Sequence, residues 1–206
     1  MAERGRPRCF DREAALRSAM TIFWRYGYEG SSLAQLTEAM GINSPSLYSS
    51  FGSKQGLFRE AVDQYDAEEG ATIREALDAR ADVREAIQHM LHTSAQCFSV
   101  PGKPAGCMVL LAATNCTPEN AGIWEYMSDR RKRSTAILQA RLDRGIADGQ
   151  IAASVDTEKL AAFFGGIRNG MSIHARDGAC RDLLMAMADA AMAGWDQLTA
   201  APVLTS

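Results

Sequence analysis

Apolar residues recur in steps of three and four along most of this chain. Ala15, Ala19, Ile22 and Tyr26, flanked by Leu16, Met20 and Phe23, line one side of a helix, because such steps return to the same face of a helical turn. Asp11 caps its start, Glu13 places negative charge in the first turn, and Gly27 marks its end. Ser32 and Gln35 form a Ser-x-x-Gln capping box that opens a second helix with Leu33, Leu36 and Met40 inside; Gly41 stops it. Asn43 caps a third helix, with Pro45 in the first turn, where a missing N–H does no harm. Its inward residues are Leu47 and Phe51. A longer helix follows from Ser53, with Leu57, Phe58, Ala61, Val62 and Tyr65 apolar.

The pattern continues to the C-terminus. Asp82-x-x-Glu85 precedes "AIQHMLHTSAQCF". "SVPGKPAG" at 99–106 reads as a loop, and Cys107 opens a short apolar helix, "CMVLLAATNC". Pro118 stands near the start of a long amphipathic helix reaching about Gly149, with "DRRKR" at 129–133 read as a solvated face, a second phosphate-binding patch being the alternative. Two more helices are predicted in "DTEKLAAFFGGIRNGMSIHAR" and "CRDLLMAMADAAMAGW". The composition of the 206 residues agrees: 34 alanines stand against six valines, which favours an all-α chain over a sheet.

Several classes of function are disfavoured. No apolar run has the length of a membrane span, and "MAERGRPRCF" lacks the apolar core of a secretory signal. A cytoplasmic protein is expected. Five cysteines without a CxxC argue against a disulfide framework or zinc knuckle. His89, His92 and Cys97 have no well-placed further ligand, so neither a metal site nor a cofactor is expected. Net charge is −3, yet residues 1–60 carry eight basic against six acidic side chains and the remainder 14 against 19. The basic excess is N-terminal, with Arg4, Arg6 and Arg8 in one short arm.

Three short helices with a glycine turn between the second and third make a helix-turn-helix layout over residues 11–51. With Leu47 and Phe51 turned inward, helix three leaves Ser44, Ser46, Tyr48, Ser49 and Ser50 outside. Short hydroxyls let a backbone approach a major-groove floor and bond either donors or acceptors there. Tyr48 and Lys54 are long enough for phosphates. The arm "RGRPR" suits a narrow minor groove. A plainly solvated serine face and an untargeted basic tail are the competing readings.

The stretch "AMTIFWRYGYEGSSLAQLTEAMGINSPSLYSSFGSKQGLF" resembles the N-terminal signature of the TetR family of bacterial transcriptional regulators. Phe23, Gly27, Tyr28, the Ser31-Ser32 pair, Gly41-Ile42, Leu47-Tyr48, Phe51, Lys54 and Leu57-Phe58 carry that likeness. The resemblance implies an all-α fold with a three-helix DNA-binding domain at 10–66 behind a basic arm at 1–9. An effector-binding and dimerisation domain at 67–198 and a tail at 199–206 follow. It implies double-stranded operator DNA with two half-sites, a homodimer, and a small-molecule effector that releases DNA. By position, Ser32 corresponds to a phosphate contact, Ser44, Pro45, Ser46 and Ser49 to groove-facing sites, and Tyr48 and Lys54 to backbone contacts. Ser44 departs from the pattern, since many members carry Lys or Arg there.

For the effector, the expected walls are Tyr65, Phe98, Met108, Leu111, Trp124 and Met127, with Phe163 and His174; plain core packing is the alternative for these side chains. Cys107 follows a glycine loop at a helix start, where positive partial charge favours a thiolate. Some family members carry a Gly-Cys at a similar place and respond to electrophiles or oxidants; a packed, inert thiol is the alternative. Gly166 and Gly170, with Ala186, Ala190 and Ala193, offer smooth surfaces for close helix packing. The resemblance places them in a dimer interface, against packing within one subunit. The leading expectation is a homodimeric repressor released by a small molecule or reactive electrophile. A transcriptional activator of the same fold, or an all-α enzyme using Cys107 as nucleophile, stays open beside it.

Overall fold

The computed structural model describes residues 11–200. Arg4, Arg6 and Arg8 and the last six residues lie outside that range. Every regular element among the described residues is helical: α1 (Arg12–Gly30), α2 (Leu33–Met40), α3 (Ser44–Phe51), α4 (Lys54–Tyr65), α5 (Ala71–Asp78), α6 (Val83–Phe98), α7 (Met108–Leu111), α8 (Ala121–Ala147), α9 (Thr157–Arg176), α10 (Arg181–Ala193) and α11 (Trp195–Thr199). A π-helical turn, Asp66–Gly70, joins α4 to α5, and a 3-10 turn, Pro118–Asn120, leads into α8.

The helix starts follow the local chemistry. The Asp11 carboxylate accepts from the Glu13 and Ala14 N–H groups. Ser32 and Gln35 make both halves of the capping box, and Asn43, Ser53, Asp82 and Asp156 each accept from an N–H of the first turn. Each such bond satisfies a donor that the helix leaves without an internal partner. Cys107 differs. It precedes a helix of only four residues and makes no side-chain cap bond. The short apolar helix expected through Cys116 stops at Leu111.

Gly27 does not end α1 outright; it kinks it, at φ 73° and ψ 176°. The chain resumes one helical turn so that the Tyr28 N–H donates to the Ala112 carbonyl at 2.7 Å. A Cβ at Gly27 would stand 3.0 Å from that same oxygen. Glycine is required here twice over, by the left-handed φ and by the close approach.

Two apolar clusters make the interior. The first holds Phe23, Trp24 and Tyr28 of α1, Leu36 and Met40 of α2, Leu47 and Phe51 of α3, and Leu57, Phe58 and Tyr65 of α4. It also takes in Met108, Val109, Ile123 and Met127, so packing crosses the sequence divide expected at residue 66. Phe23, Tyr28 and Phe58 meet in edge-on and stacked pairs, and Trp24 meets Tyr65 at 4.8 Å. Burying each of these rings contributes up to about 3 kcal/mol. The second cluster joins α5, α6, α8, α9, α10 and α11 around Ile87, Leu91, Phe98, Leu142, Phe164, Leu184 and Trp195. Cys107 packs against both clusters.

Candidate nucleic-acid interface and ligand cavity

The buried residues Leu47 and Phe51 fix the rotation of α3. With them inside, Ser44, Pro45, Tyr48 and Ser49 are exposed, and Ser46 is half-buried. Tyr48 is 47% exposed although it is a large aromatic. Pro45 in the first turn and the Asn43 cap leave the N-terminal end of α3 free of bulky side chains. Ser32 is exposed at the start of α2. Its oxygen already accepts from Gln35 at 3.1 Å, which leaves the hydroxyl proton for an outside acceptor such as a phosphate oxygen.

Lys54 stands differently from a free surface lysine. Its Nζ lies 4.3 Å from the centre of the Tyr28 ring. Partial burial lowers its pKa, and Glu29 opposes that. The ring positions the ammonium at the start of α4. Arg12, which the sequence pattern did not single out, braces the same unit. Its guanidinium pairs with Glu60 at 2.7 Å, donates to the Ser50 carbonyl at 3.2 Å, and sits 4.3 Å over the Phe51 ring. Partners 38 to 48 residues away left no local signal of this role.

A second site opens behind this head: a cavity of about 360 Å³ between the α4–α5 junction, α6, α8 and α9. Of the residues expected to form it, Tyr65, Phe98 and Cys107 line it. The others are placed elsewhere. Met108 and Met127 are wholly buried in the first core cluster. Leu111 is turned aside while its neighbours Val109 and Leu110 line the cavity. Trp124 and Phe163 are 46% and 40% exposed, and His174 is exposed on the far part of α9. Helical spacing identified their elements but not which side of each element faces the void.

The "DRRKR" run is likewise not a uniformly solvated face. Arg130 is bonded to Asp66 at 2.6 Å and to Asp63, and its pKa is raised: burial lowers it, but Tyr126, Asp63 and Asp66 together outweigh that. Arg131 is half-buried and lines the cavity, and burial lowers its pKa. Only Asp129, Lys132 and Arg133 of the five are exposed. The signal was present in the spacing, since Arg131 falls a helical step beyond buried Met127 and two short of buried Leu138.

Segment 105–112 links cavity and head. The Ala105 carbonyl accepts from Arg176 Nε at 3.0 Å, and the same guanidinium donates to the Trp24 and Arg25 carbonyls at 2.8 Å each. The Gly106 carbonyl accepts from the Trp24 indole at 3.0 Å. The Cys107 N–H donates to Ser172 Oγ at 2.7 Å. Ala112 receives Tyr28, as above. At Gly106, φ is 77° and a Cβ would lie 2.5 Å from the Ser172 carbonyl. Cys107 itself is half-buried, beside the Tyr65 hydroxyl, whose pKa is driven well up, chiefly by burial and then by the neighbouring Cys107.

Gly166, Gly170, Ala186, Ala190 and Ala193 show where α9 and α10 are left bare. All but the half-buried Gly170 are exposed, and nothing lies within 4 Å of a Cβ built on Gly166. With Phe163 and Ile173 on α9 and Leu183 on α10, they follow 3-4-3 steps on each helix, so each helix carries an exposed stripe of apolar and small residues. Among the described residues no helix is long and apolar enough to cross a membrane, and no group of three or more potential metal ligands occurs.

Comparison with known proteins agrees with this geometry. The family model described as "Bacterial regulatory proteins, tetR family" matches residues 15–61. The HTH-type transcriptional repressor ComR of Escherichia coli (strain K12) is 38% identical over 196 residues, spanning 95% of this chain and 93% of that protein. The HTH-type transcriptional repressor BdcR of the same organism is 40% identical over 106 residues, 52% of this chain and 54% of that protein. A solved structure of the TetR family transcriptional regulator CifR is similar with a TM-score of 0.89 and 44% identity, over 92% of this chain and all of that one. That structure is a cysteine mutant complexed with 26-bp double-strand operator DNA.

Proposed function

The chain belongs to the TetR family of DNA-binding transcriptional regulators, and from that premise we propose that it acts as a homodimeric repressor which a small molecule or reactive electrophile releases from its operator. The observation that carries this is the outward face of α3, where Ser44, Pro45, Tyr48 and Ser49 stand exposed at the end of a rigidly braced three-helix head. The names of ComR and BdcR as repressors support the sign of regulation. The operator complex of CifR supports a duplex as the partner. An enzymatic role for Cys107 has no support in the site, where no histidine lines the cavity with it.

Dimerisation is supported by the two exposed 3-4-3 stripes on α9 and α10. Two heads on one frame read half-sites about one helical turn or a multiple of it apart, and the second contact then gains effective concentration. Effector release is supported by the shared segment 105–112. Val109 and Leu110 line the cavity, while Gly106 and Ala112 hold α1 by hydrogen bonds. A ligand that shifts this segment tilts the heads relative to each other. An electrophile that enters the cavity meets the Cys107 thiol.

A gel-shift series with DNA from the chain's own promoter region tests this reading. One shifted species is expected, with affinity falling steeply as salt rises, because each phosphate contact releases counterions. An electrophile should weaken the complex of the wild-type chain and spare that of Cys107→Ser. Binding without sequence preference at any salt contradicts the operator reading, and an equal electrophile response of the Cys107→Ser chain removes the thiol from it.

A further inference from the structure

The charge around the cavity is lopsided. Its lining includes six cationic side chains, Arg74, Arg130, Arg131, Lys132, Arg133 and Arg168, against one carboxylate, Asp66. Asp66 is already bonded to Arg130 at 2.6 Å. This surplus occurs in a chain whose net charge is −3. Like charges gathered at a cleft repel one another and attract a counter-charge.

Arg74, Lys132 and Arg133 are exposed, whereas Arg130, Arg131 and Arg168 are half-buried. Of these three, Arg131 and Arg168 have no carboxylate within salt-bridge distance among the described residues, whereas Arg130 has two. Arg131 reaches only the Val109 carbonyl, at 3.4 Å. Arg168 donates to Ser134 Oγ at 2.7 Å. Both are half-buried, and none of their nitrogens is sealed away without a partner, in contrast to Arg141, whose Nε and Nη1 are. Their remaining N–H groups face accessible space. The cavity also has an apolar lining: Ile73, Leu77, Met90, Phe98 and Leu138 are all buried core residues that line it. A void of about 360 Å³ is at the small end of ligand pockets.

We propose that the cavity takes a small amphiphilic organic anion, its acid group between Arg131 and Arg168 and its apolar body against Ile73, Leu77, Met90, Phe98 and Leu138. This rests on the effector reading above and narrows it to one chemical class. Guanidinium groups pair with carboxylates, sulfonates and phosphates through two parallel N–H bonds, and these are stronger than neutral hydrogen bonds. A neutral ligand of the same shape would leave both guanidinium groups unmatched in a partly dry site. Since Arg131 also donates to Val109 on the segment that holds α1, drawing its guanidinium to an anion pulls on that segment directly.

Calorimetric titration of the purified chain with octanoate and 4-phenylbutyrate, each against its alcohol, tests the proposal. At least one acid is expected to bind in the millimolar range or tighter, and about tenfold or more tightly than its alcohol. Arg131→Gln/Arg168→Gln should lose that preference and keep the weak affinity for the alcohol. Arg168→Gln alone, at a half-exposed position, should lose part of it and serves if the double variant does not fold. Equal binding of acid and alcohol, no binding of either acid at millimolar concentration, or an unchanged preference in the variants overturns the anion site. Gel shifts of the ligand-free chain separate this from the regulatory reading. An acid that binds as expected but leaves operator occupancy unchanged sinks the effector role and not the site.

Discussion

At the residue scale, one exposed tie between the DNA-reading head and the rest of the chain is Glu29. Its carboxylate accepts from the Thr117 N–H and from Asn120 Nδ2, both at 2.9 Å. These bonds, the Thr117 backbone bond first, hold its pKa below the ordinary 4.5. A carboxylate with a depressed folded-state pKa stabilises the fold above its unfolded pKa, and that contribution is lost as pH falls through the folded value. Glu29→Gln should therefore lower unfolding stability at neutral pH by a modest amount, under about 1 kcal/mol because the group is solvent-screened. The difference from the wild-type chain should close below the depressed pKa. Urea unfolding of both chains at a series of pH values from 7 downward measures it; a gap that does not narrow as the pH falls refutes the assignment. Arg141 shows the opposite extreme: it is 3% exposed, donates to the Arg80 and Ala81 carbonyls, and burial lowers its pKa.

At the element scale, the exposed and buried faces of α3 lead to different predictions. Ser49 and Tyr48 are exposed and lie outside both apolar clusters, while Leu47 and Phe51 are buried. Ser49→Ala should leave thermal stability unchanged or raise it slightly, since alanine is the better helix former. Operator affinity should fall, by about tenfold if the hydroxyl contacts a base edge. Tyr48→Phe, which removes one hydroxyl suited to a phosphate, should weaken binding to all duplexes alike. Differential scanning calorimetry with fluorescence titration checks both; a parallel loss of stability would show the face to be structural. The starts of α1, α2, α3, α4 and α6 were legible from their caps and spacing, because those signals are local. What escaped was non-local. The Gly27 kink depends on Ala112, the brace at Arg12 depends on Glu60 and Phe51, and the side of α8 that lines the cavity depends on α5 and α9. Met108, Leu111, Trp124, Met127, Phe163 and His174, on helices that border the cavity, do not line it, for the same reason.

At the scale of the whole molecule, two clusters of apolar residues share Cys107 and the segment around it. The head is therefore not an independent bead on a linker. Arg176, from the far end of α9, clamps the Trp24, Arg25 and Ala105 carbonyls at once. The helix proposed to meet a second copy is thereby bonded directly to the helix that begins the head, so a change in how two copies pack bears on how far apart their α3 helices stand. Two such faces are proposed to meet one duplex. Selection of bound sequences from a random-sequence duplex pool, followed by weighing the complex with the selected duplex, tests it most directly. The expected result is an inverted repeat whose half-site centres lie about 34–36 Å or a multiple of that apart, with an even number of chains bound. A pool that stays random after selection, or a selected duplex held by a single chain, would contradict it.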